Sequence, residues 1–372
     1  MHRLAEVVNR FKHQLPALSP QQHKVCHQIQ RCRTEALGGF QLHCHDCGQS
    51  QRLYHACRNR HCPRCQQGAS EQWLARELSH VVDAPYFHLV FTLPHELNSW
   101  IRLHPRVIYR ALFASAWETL NTLGHDPKRL NGQLAATVVL HTWGQNLSQH
   151  VHLHCLIPGG AIDESGRWHS AKGNYLFPVR ALSRLFRGKM VSALRTASNN
   201  KALSRITNVG EIDRQLKTLM QKEWVVYGKP CLHKAETVVR YLSRYTRKIA
   251  ISESRLVAID ADSVTFRYQD YRDAQSKVMT LTGAEFLRRF LQHVLPHGFM
   301  RIRHFGWLAN ACRKQKLPEV HRAIAEAKNA PLIANKLSKA ACIPDFEGTP
   351  CSCGNGVLRV SYVLAPLQLE YG

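Results

Sequence analysis

His150-Val151-His152-Leu153-His154-Cys155 sits inside a segment, Ala135 to Ile162, that reads strand, turn, strand. Ala136-Thr137-Val138-Val139-Leu140-His141 is β-branched and apolar, and Trp143-Gly144-Gln145-Asn146 has turn composition. The second run ends at Gly159-Gly160, where a strand stops. Side chains alternate faces along a strand. His150, His152 and His154 are therefore expected on one face, with Val151, Leu153 and Cys155 on the other. Three imidazoles in a row on an apolar strand do not serve packing. Imidazole is the commonest metal ligand and titrates near neutral pH.

Working outward, the whole composition favours a polyanionic partner. The 372 residues carry 50 Lys and Arg against 26 Asp and Glu, a formal charge of +24. Nucleic acid is the first candidate for such a surface. The length suits two or three domains, and the 44% hydrophobic content suits a folded core. No stretch approaches the ~20 apolar residues of a membrane span, so no membrane partner is expected. The opening Met1-His2-Arg3-Leu4-Ala5-Glu6 lacks the apolar core of a secretory leader. A cytoplasmic, nucleoid-associated protein is the expectation, and its 13 cysteines are then metal ligands or free thiols.

Cys44-His45-Asp46-Cys47 and Cys62-Pro63-Arg64-Cys65 are two Cys-x2-Cys knuckles separated by 14 residues. Each offers two thiolates from one tight turn. The spacing predicts a tetrahedral structural Zn2+ held by Cys44, Cys47, Cys62 and Cys65. His55, Cys57 and His61 lie between them as alternative donors, and Arg58-Asn59-Arg60 makes the module a candidate DNA contact. Cys351-Ser352-Cys353-Gly354 looks like half a knuckle at a different spacing, with Cys342 as a conceivable third donor.

Elsewhere, residues 1–37 read as helical, with Ser19 as cap and Pro20 in the first turn. Helices are also expected over 68–82, 96–123, most of 179–228 and 285–294, strands over 86–93, 255–260 and 263–270, and a loop over 161–178. In the helix expected from Ala235 to Lys248, Tyr241 and Tyr245 are four residues apart, so both phenols share a face. Arg240, Arg244 and Arg247 flank them, followed by Lys248. Arg301, Arg303 and Arg313-Lys314 interleave with aromatics in the C-terminal region, a pattern suited to nucleic acid.

A histidine face, paired tyrosines, a zinc module and high positive charge suit one chemistry: attack of a tyrosine on a DNA phosphodiester. A phenol with a pKa near 10 is a weak nucleophile at neutral pH. A divalent cation held by two histidines and another polar group would polarise the scissile phosphate. The phosphotyrosine conserves bond energy, and two tyrosines allow successive strand transfers. No Gly-x4-Gly-Lys-Ser/Thr is present, so strand opening would fall to host helicase or replication proteins.

The motifs Cys57-Arg58-Asn59-Arg60-His61-Cys62-Pro63-Arg64-Cys65-Gln66, Phe91-Thr92-Leu93-Pro94-His95-Glu96-Leu97, His141-Thr142-Trp143-Gly144-Gln145-Asn146-Leu147 and His150 to Gly160 occur in that order. With Trp224 to Pro230, Arg240-Tyr241-Leu242-Ser243-Arg244-Tyr245-Thr246 and Arg301 to Asn310, they resemble the insertion-sequence-91 family. These are two-tyrosine HUH (His-hydrophobic-His) transposases that move by a rolling-circle route.

The resemblance implies an α+β HUH endonuclease fold, a central antiparallel sheet flanked by helices. The strands at 86–93, 135–142, 150–158, 255–260 and 263–270 would supply it. It implies that His152 and His154 are the HUH pair, that Tyr241 and Tyr245 are the nucleophiles, and that Mg2+ or Mn2+ is the catalytic ion. It leaves the third ligand open, with Gln145 first and His141 and Glu236 next; His150 would support the ligands from behind. Single-stranded DNA at transposon ends and target DNA are the implied substrates. Val151 stands where many relatives have Pro, and Arg247-Lys248 where His-Arg is usual. Three regions are expected: a helix and zinc module over 1–68, a catalytic domain over 69–295, and a basic DNA-contacting region over 296–372. The rival readings are a zinc-containing DNA-binding regulator without catalysis, which gives His152 and Tyr241 no role, and a metal-dependent hydrolase, which needs no tyrosine.

Overall fold

The computed structural model describes residues 2–66, 76–173, 175–206, 209–231, 250–270, 273–329 and 349–367. In chain order its strands are β1 Gly39–Cys44, β2 Ser50–Tyr54, β3 Tyr86–Thr92, β4 Ala135–Trp143, β5 Gln149–Pro158, β6 Gly160–Ile162, β7 Trp168–Ser170, β8 Val226–Cys231, β9 Leu256–Ile259, β10 Ser263–Asp270, β11 Gln275–Thr282, β12 Ile302–Gly306, β13 Thr349–Pro350 and β14 Val357–Leu364. The longer helices are α1 Leu4–Phe11, α2 Pro20–Arg31, α3 Asn98–Leu103, α4 Pro105–Gly124, α5 Val179–Asn199, α6 Val209–Gln221, α7 Gly283–Leu291 and α8 Arg313–Ala327. The class is α+β with antiparallel sheets, as expected.

The central sheet runs β12-β4-β5-β3-β8. Its middle strands pair in the registers Val138↔Cys155 and Leu89↔Cys155. Val151, Leu153 and Cys155 face the main core with Phe87, Leu89, Phe91, Val138 and Leu140. That face is covered by α4 and α5. On α4, Ile108, Leu112, Ala116 and Leu120 lie at helical spacing, so one stripe is buried. The single helix expected over 96–123 is broken at His104, because Pro105 cannot continue a helix interior and instead starts α4. On the opposite face, Tyr86, Ala135 and Leu156 pack under Trp307 and α8 at one end of the sheet. The other end of that face carries the histidines.

Two of the five strands expected for this sheet belong elsewhere. β9 and β10 form a separate three-stranded sheet with β11, in the order β11-β10-β9. Among the described residues the edges of the central sheet are instead β8, whose first half lies in the segment 179–228 expected to be largely helical, and β12, inside the expected basic tail. The loop expected over 161–178 contains the β6–β7 hairpin.

A second core joins α1 and α2 to the small sheet and α7. Leu4, Val8, Phe11 and Ile29 pack with Phe266, Phe286 and Phe290. Ser19 caps α2 through a capping box with Gln22, as its sequence suggests, but the helix ends at Arg31 rather than at Gly38. The packing crosses the expected boundaries at 68 and 295, since residues 4–32 share a core with 250–291 and β12 completes the central sheet. A fourth sheet, β13-β14-β1-β2, pairs the N-terminal hairpin with the C-terminal strands. No described helix is long and apolar enough to cross a membrane.

Candidate metal centres

Adjacent strands set the histidine centre. His141 lies opposite His152, and Val90 opposite His154. Strand alternation then puts all three imidazoles on one face, at the end away from Trp307. The ligand atoms of His141, His152 and His154 lie within 4.8 Å of one another. All three residues are buried. The Trp143 ring stacks on His141 at 4.8 Å between centroids.

Hydrogen bonds orient the rings. His152 Nδ1 is 3.0 Å from the His150 carbonyl, which can only accept, so Nδ1 carries the proton and Nε2 presents its lone pair. That Nε2 lies 3.0 Å from His154 Nε2. His154 Nδ1 lies 2.9 Å from His88 Nε2, and the two rings stack with planes 10° apart. Burial pushes the His88 pKa down to about 4, with Lys229 adding to the effect, so its ring is neutral and can accept. The donor set fits a divalent cation. Two cis ligands at about 2.1 Å from an octahedral ion stand about 3 Å apart, the separation seen between these Nε2 atoms. Metal-bound histidines usually donate their other N–H to a fixed acceptor, and His150 and His88 offer such acceptors.

Of the sequence candidates, His152 and His154 converge and His141 joins them. Gln145 lies in the turn beyond β4, where its main-chain carbonyl accepts from Arg255. His150 supplies its carbonyl. Tyr241, Tyr245, Glu236, Arg240, Arg244, Arg247 and Lys248 lie outside the described residues. His88 escaped the sequence reading. Its signal was there: in the expected strand 86–93 a histidine interrupts an apolar run.

The cysteine assignment is corrected. Cys62 and Cys65 do not join Cys44 and Cys47; they cluster with Cys32 and Cys57. The Sγ–Sγ distances are 3.5 Å from Cys32 to Cys65 and 3.6 Å from Cys32 to Cys62 and from Cys57 to Cys65. A zinc ion with Zn–S near 2.3 Å sets tetrahedral sulfurs about 3.8 Å apart, whereas a disulfide requires about 2.05 Å. The β1–β2 hairpin explains the correction. Cys32 and Cys57 flank its base, near Cys62 and Cys65, while Cys44 and Cys47 sit at its tip. Five residue steps along a strand put roughly 17 Å between base and tip. Four close thiols also compete for ionisation. Hydrogen bonds from Cys57 and Cys62 push the Cys32 pKa down, while Cys32 pushes Cys57 up to about 12. A bound zinc ion removes this conflict by holding all four as thiolates.

Among the basic candidates, Arg60 holds the module in place. Arg60 donates to the carbonyls of Pro296 and Phe299, and Asn59 donates to Gln28. Arg60 thereby docks the module on the loop before β12, and Asn59 ties it to α2. Arg301 is sequestered beside Arg60, and burial lowers its pKa to about 10. The Arg303 guanidinium lies 4.2 Å from the Phe113 ring centroid and 5.0 Å from that of Phe299.

A family model described as "Transposase zinc-binding domain" matches residues 3–93, and one described as "Putative transposase" matches residues 135–316. The chain is similar to "Putative transposase y4qJ" of Sinorhizobium fredii, with 41% identity over 329 residues, 86% of this chain and 83% of the relative. It is also similar to "Transposase for insertion sequence element IS801" of Pseudomonas savastanoi pv. phaseolicola, with 31% identity over 309 residues, 81% of this chain and 73% of the relative. No solved structure matches the chain.

Proposed function

The chain belongs to the transposase family of insertion-sequence-91 and insertion-sequence-801 elements, and from that premise we propose that it nicks and rejoins single-stranded DNA at transposon ends through a 5′-phosphotyrosine. Transposition of DNA is the family's activity, and the +24 charge suits that polyanionic substrate. The observation that carries the finer reading is the convergence of His141, His152 and His154 on the central sheet. Three imidazole nitrogen donors at that spacing suit a catalytic divalent ion better than packing does. The central antiparallel sheet with helices against one face is consistent with an HUH arrangement.

In this reading His141, His152 and His154 hold Mg2+ or Mn2+, and Gln145 is not needed as a ligand. When bound, the ion supplies polarisation of the scissile phosphate. His150 and His88 keep the ligand rings in the required tautomers. The Oη of Tyr241 or Tyr245 attacks phosphorus and gives up its proton, the P–O3′ bond breaks, and the departing 3′ oxygen takes up a proton, so bonds and protons balance. Rejoining reverses these steps with a new 3′ hydroxyl. Arg240, Arg244, Arg247 and Lys248 would neutralise flanking phosphates, and host helicase or replication proteins would supply the single strand.

A labelled single-stranded oligonucleotide bearing the element's end, incubated with Mn2+ and resolved on a denaturing gel, tests this. Wild type is expected to give a protein–DNA band that resists denaturant. Tyr241→Phe with Tyr245→Phe abolishes it, and each single change ranks the nucleophiles. Cleavage without an adduct would refute tyrosine attack in favour of an activated water. Binding with neither would favour a zinc-containing DNA-binding regulator.

A further inference from the structure

We propose that Cys44, Cys47, Cys351 and Cys353 form a second structural zinc site, which fastens the C-terminal strands to the N-terminal hairpin. The site is built from both ends of the described chain. Two of its four donors lie beyond residues 3–93, the span matched by the zinc-binding domain. It does not depend on the strand-transfer chemistry.

All four sulfurs lie within 4.8 Å of one another. Cys47 Sγ is 3.6 Å from Cys351 Sγ, and Cys44 Sγ is 4.0 Å from Cys353 Sγ. These values bracket the edge of about 3.8 Å in a zinc–thiolate tetrahedron and are far too long for disulfides.

The two halves are alike in main-chain structure. Each is a tight turn between antiparallel strands, β1 to β2 and β13 to β14. In the first, the Cys44 N–H donates to the Gln49 carbonyl at 2.9 Å. In the second, the Cys351 N–H donates to the Gly356 carbonyl at 2.8 Å. Each turn carries a glycine in the left-handed region just after its second cysteine, Gly48 at φ 73° and Gly354 at φ 84°. A Cβ on Gly356 would meet Cys44 Sγ and the Asp46 carboxylate at under 3 Å, so any other residue there would have to displace them where the halves meet. The Cys-x-Cys spacing of the second half does not prevent matching turns.

Packing alone does not account for the arrangement. Cys47 and Cys353 are exposed, so they are not there as small apolar fillers. The buried cluster beneath is Leu42, Cys44, Cys351 and Leu358, with Phe40 alongside. So small a core is insufficient to hold the four-stranded sheet β13-β14-β1-β2 by itself. Zinc binding by preformed thiolate turns supplies that stabilisation.

The test uses the full-length zinc-loaded protein. Metal content is measured by mass spectrometry for wild type and for Cys351→Ser with Cys353→Ser, and the double variant is expected to hold one zinc fewer per chain. In parallel, wild-type protein is treated with iodoacetamide and its peptides mapped, a readout that needs no variant to fold. Cys47 and Cys353 are expected to resist alkylation despite their exposure, and to react once a strong chelator strips the metal. Cys312, half-buried and outside both clusters, serves as the unligated comparison. An unchanged zinc count in the double variant, or alkylation of Cys47 and Cys353 at the rate of ordinary exposed thiols before chelation, would overturn the proposal.

Discussion

His88→Phe isolates the group that stands behind the histidine centre. His88 is 4% exposed and accepts from His154 at 2.9 Å when His154 is protonated at Nδ1. Phenylalanine keeps a flat ring stacked on His154 but removes the acceptor. The His154 Nδ1–H then loses this acceptor, and the loss of a buried hydrogen bond costs about 1–3 kcal/mol. The ring escapes that cost by moving its proton to Nε2, but that nitrogen then cannot bind a cation. Metal affinity should fall by this tautomer penalty. Removing such an outer partner typically weakens binding about 10–100-fold, or about 1.4–2.8 kcal/mol. The assay is titration of zinc-loaded protein with Mn2+, following the paramagnetic resonance signal of free Mn2+. His152→Ala serves as the site-null control, and His88→Gln, which restores an acceptor, should recover part of the affinity. The reasoning is refuted if His88→Phe binds Mn2+ as tightly as wild type while His152→Ala does not.

Other outcomes follow from packing and charge. Phe186 is fully buried, with its ring against Phe91 and Trp224, so Phe186→Ala should cost about 3–5 kcal/mol in a urea unfolding series. Arg303→Ala should lose about 1 kcal/mol of stability through its two aromatic contacts and leave the salt slope of DNA binding unchanged; a flatter slope would make Arg303 a phosphate contact. His293 is buried, within reach of Thr142 and the Leu147 carbonyl, and burial pushes its pKa down to about 4. Its unfolded value is about 6.5, so its contribution is present above pH 6.5 and is lost as pH falls toward 4. The loss has a limiting slope of about 1.4 kcal/mol per pH unit. His293→Gln should flatten the stability profile over that window in urea midpoints measured from pH 7 to pH 4.5.

The histidine strand was legible because a period of two on a buried sheet leaves no choice of face. Val151 to Cys155 alternate into the core as their sequence requires. The edges of that sheet were not legible. β8 contains Gly228, Lys229 and Pro230, a composition that disfavours strands yet suits an edge, where part of the backbone hydrogen bonding goes unused. β12 hides its strand character because its Arg303 is absorbed by the Phe113 and Phe299 rings, and Arg301 just before it by the space beside Arg60. The cysteine partners failed for a different reason. Spacing identifies a knuckle, but it cannot say which knuckles meet. That depends on the length of the hairpin between Cys32 and Cys57 and on a strand pairing with residues 357–364.

The pairing of β1 with β14 also fixes an order of events during synthesis. Cys44 and Cys353 are 309 residues apart. At about 5–20 residues per second, the ribosome makes the second roughly 15–60 s after the first. Cys32, Cys57, Cys62 and Cys65 emerge close together, so the first cluster can close early. Cys44 and Cys47 meanwhile stand as an unmatched pair of thiols at the hairpin tip, held away from the first cluster by the length of β1 and β2. The nascent chain thus passes through an interval in which its first knuckle is half a site, and only arrival of the distant turn at Cys351 supplies the other half.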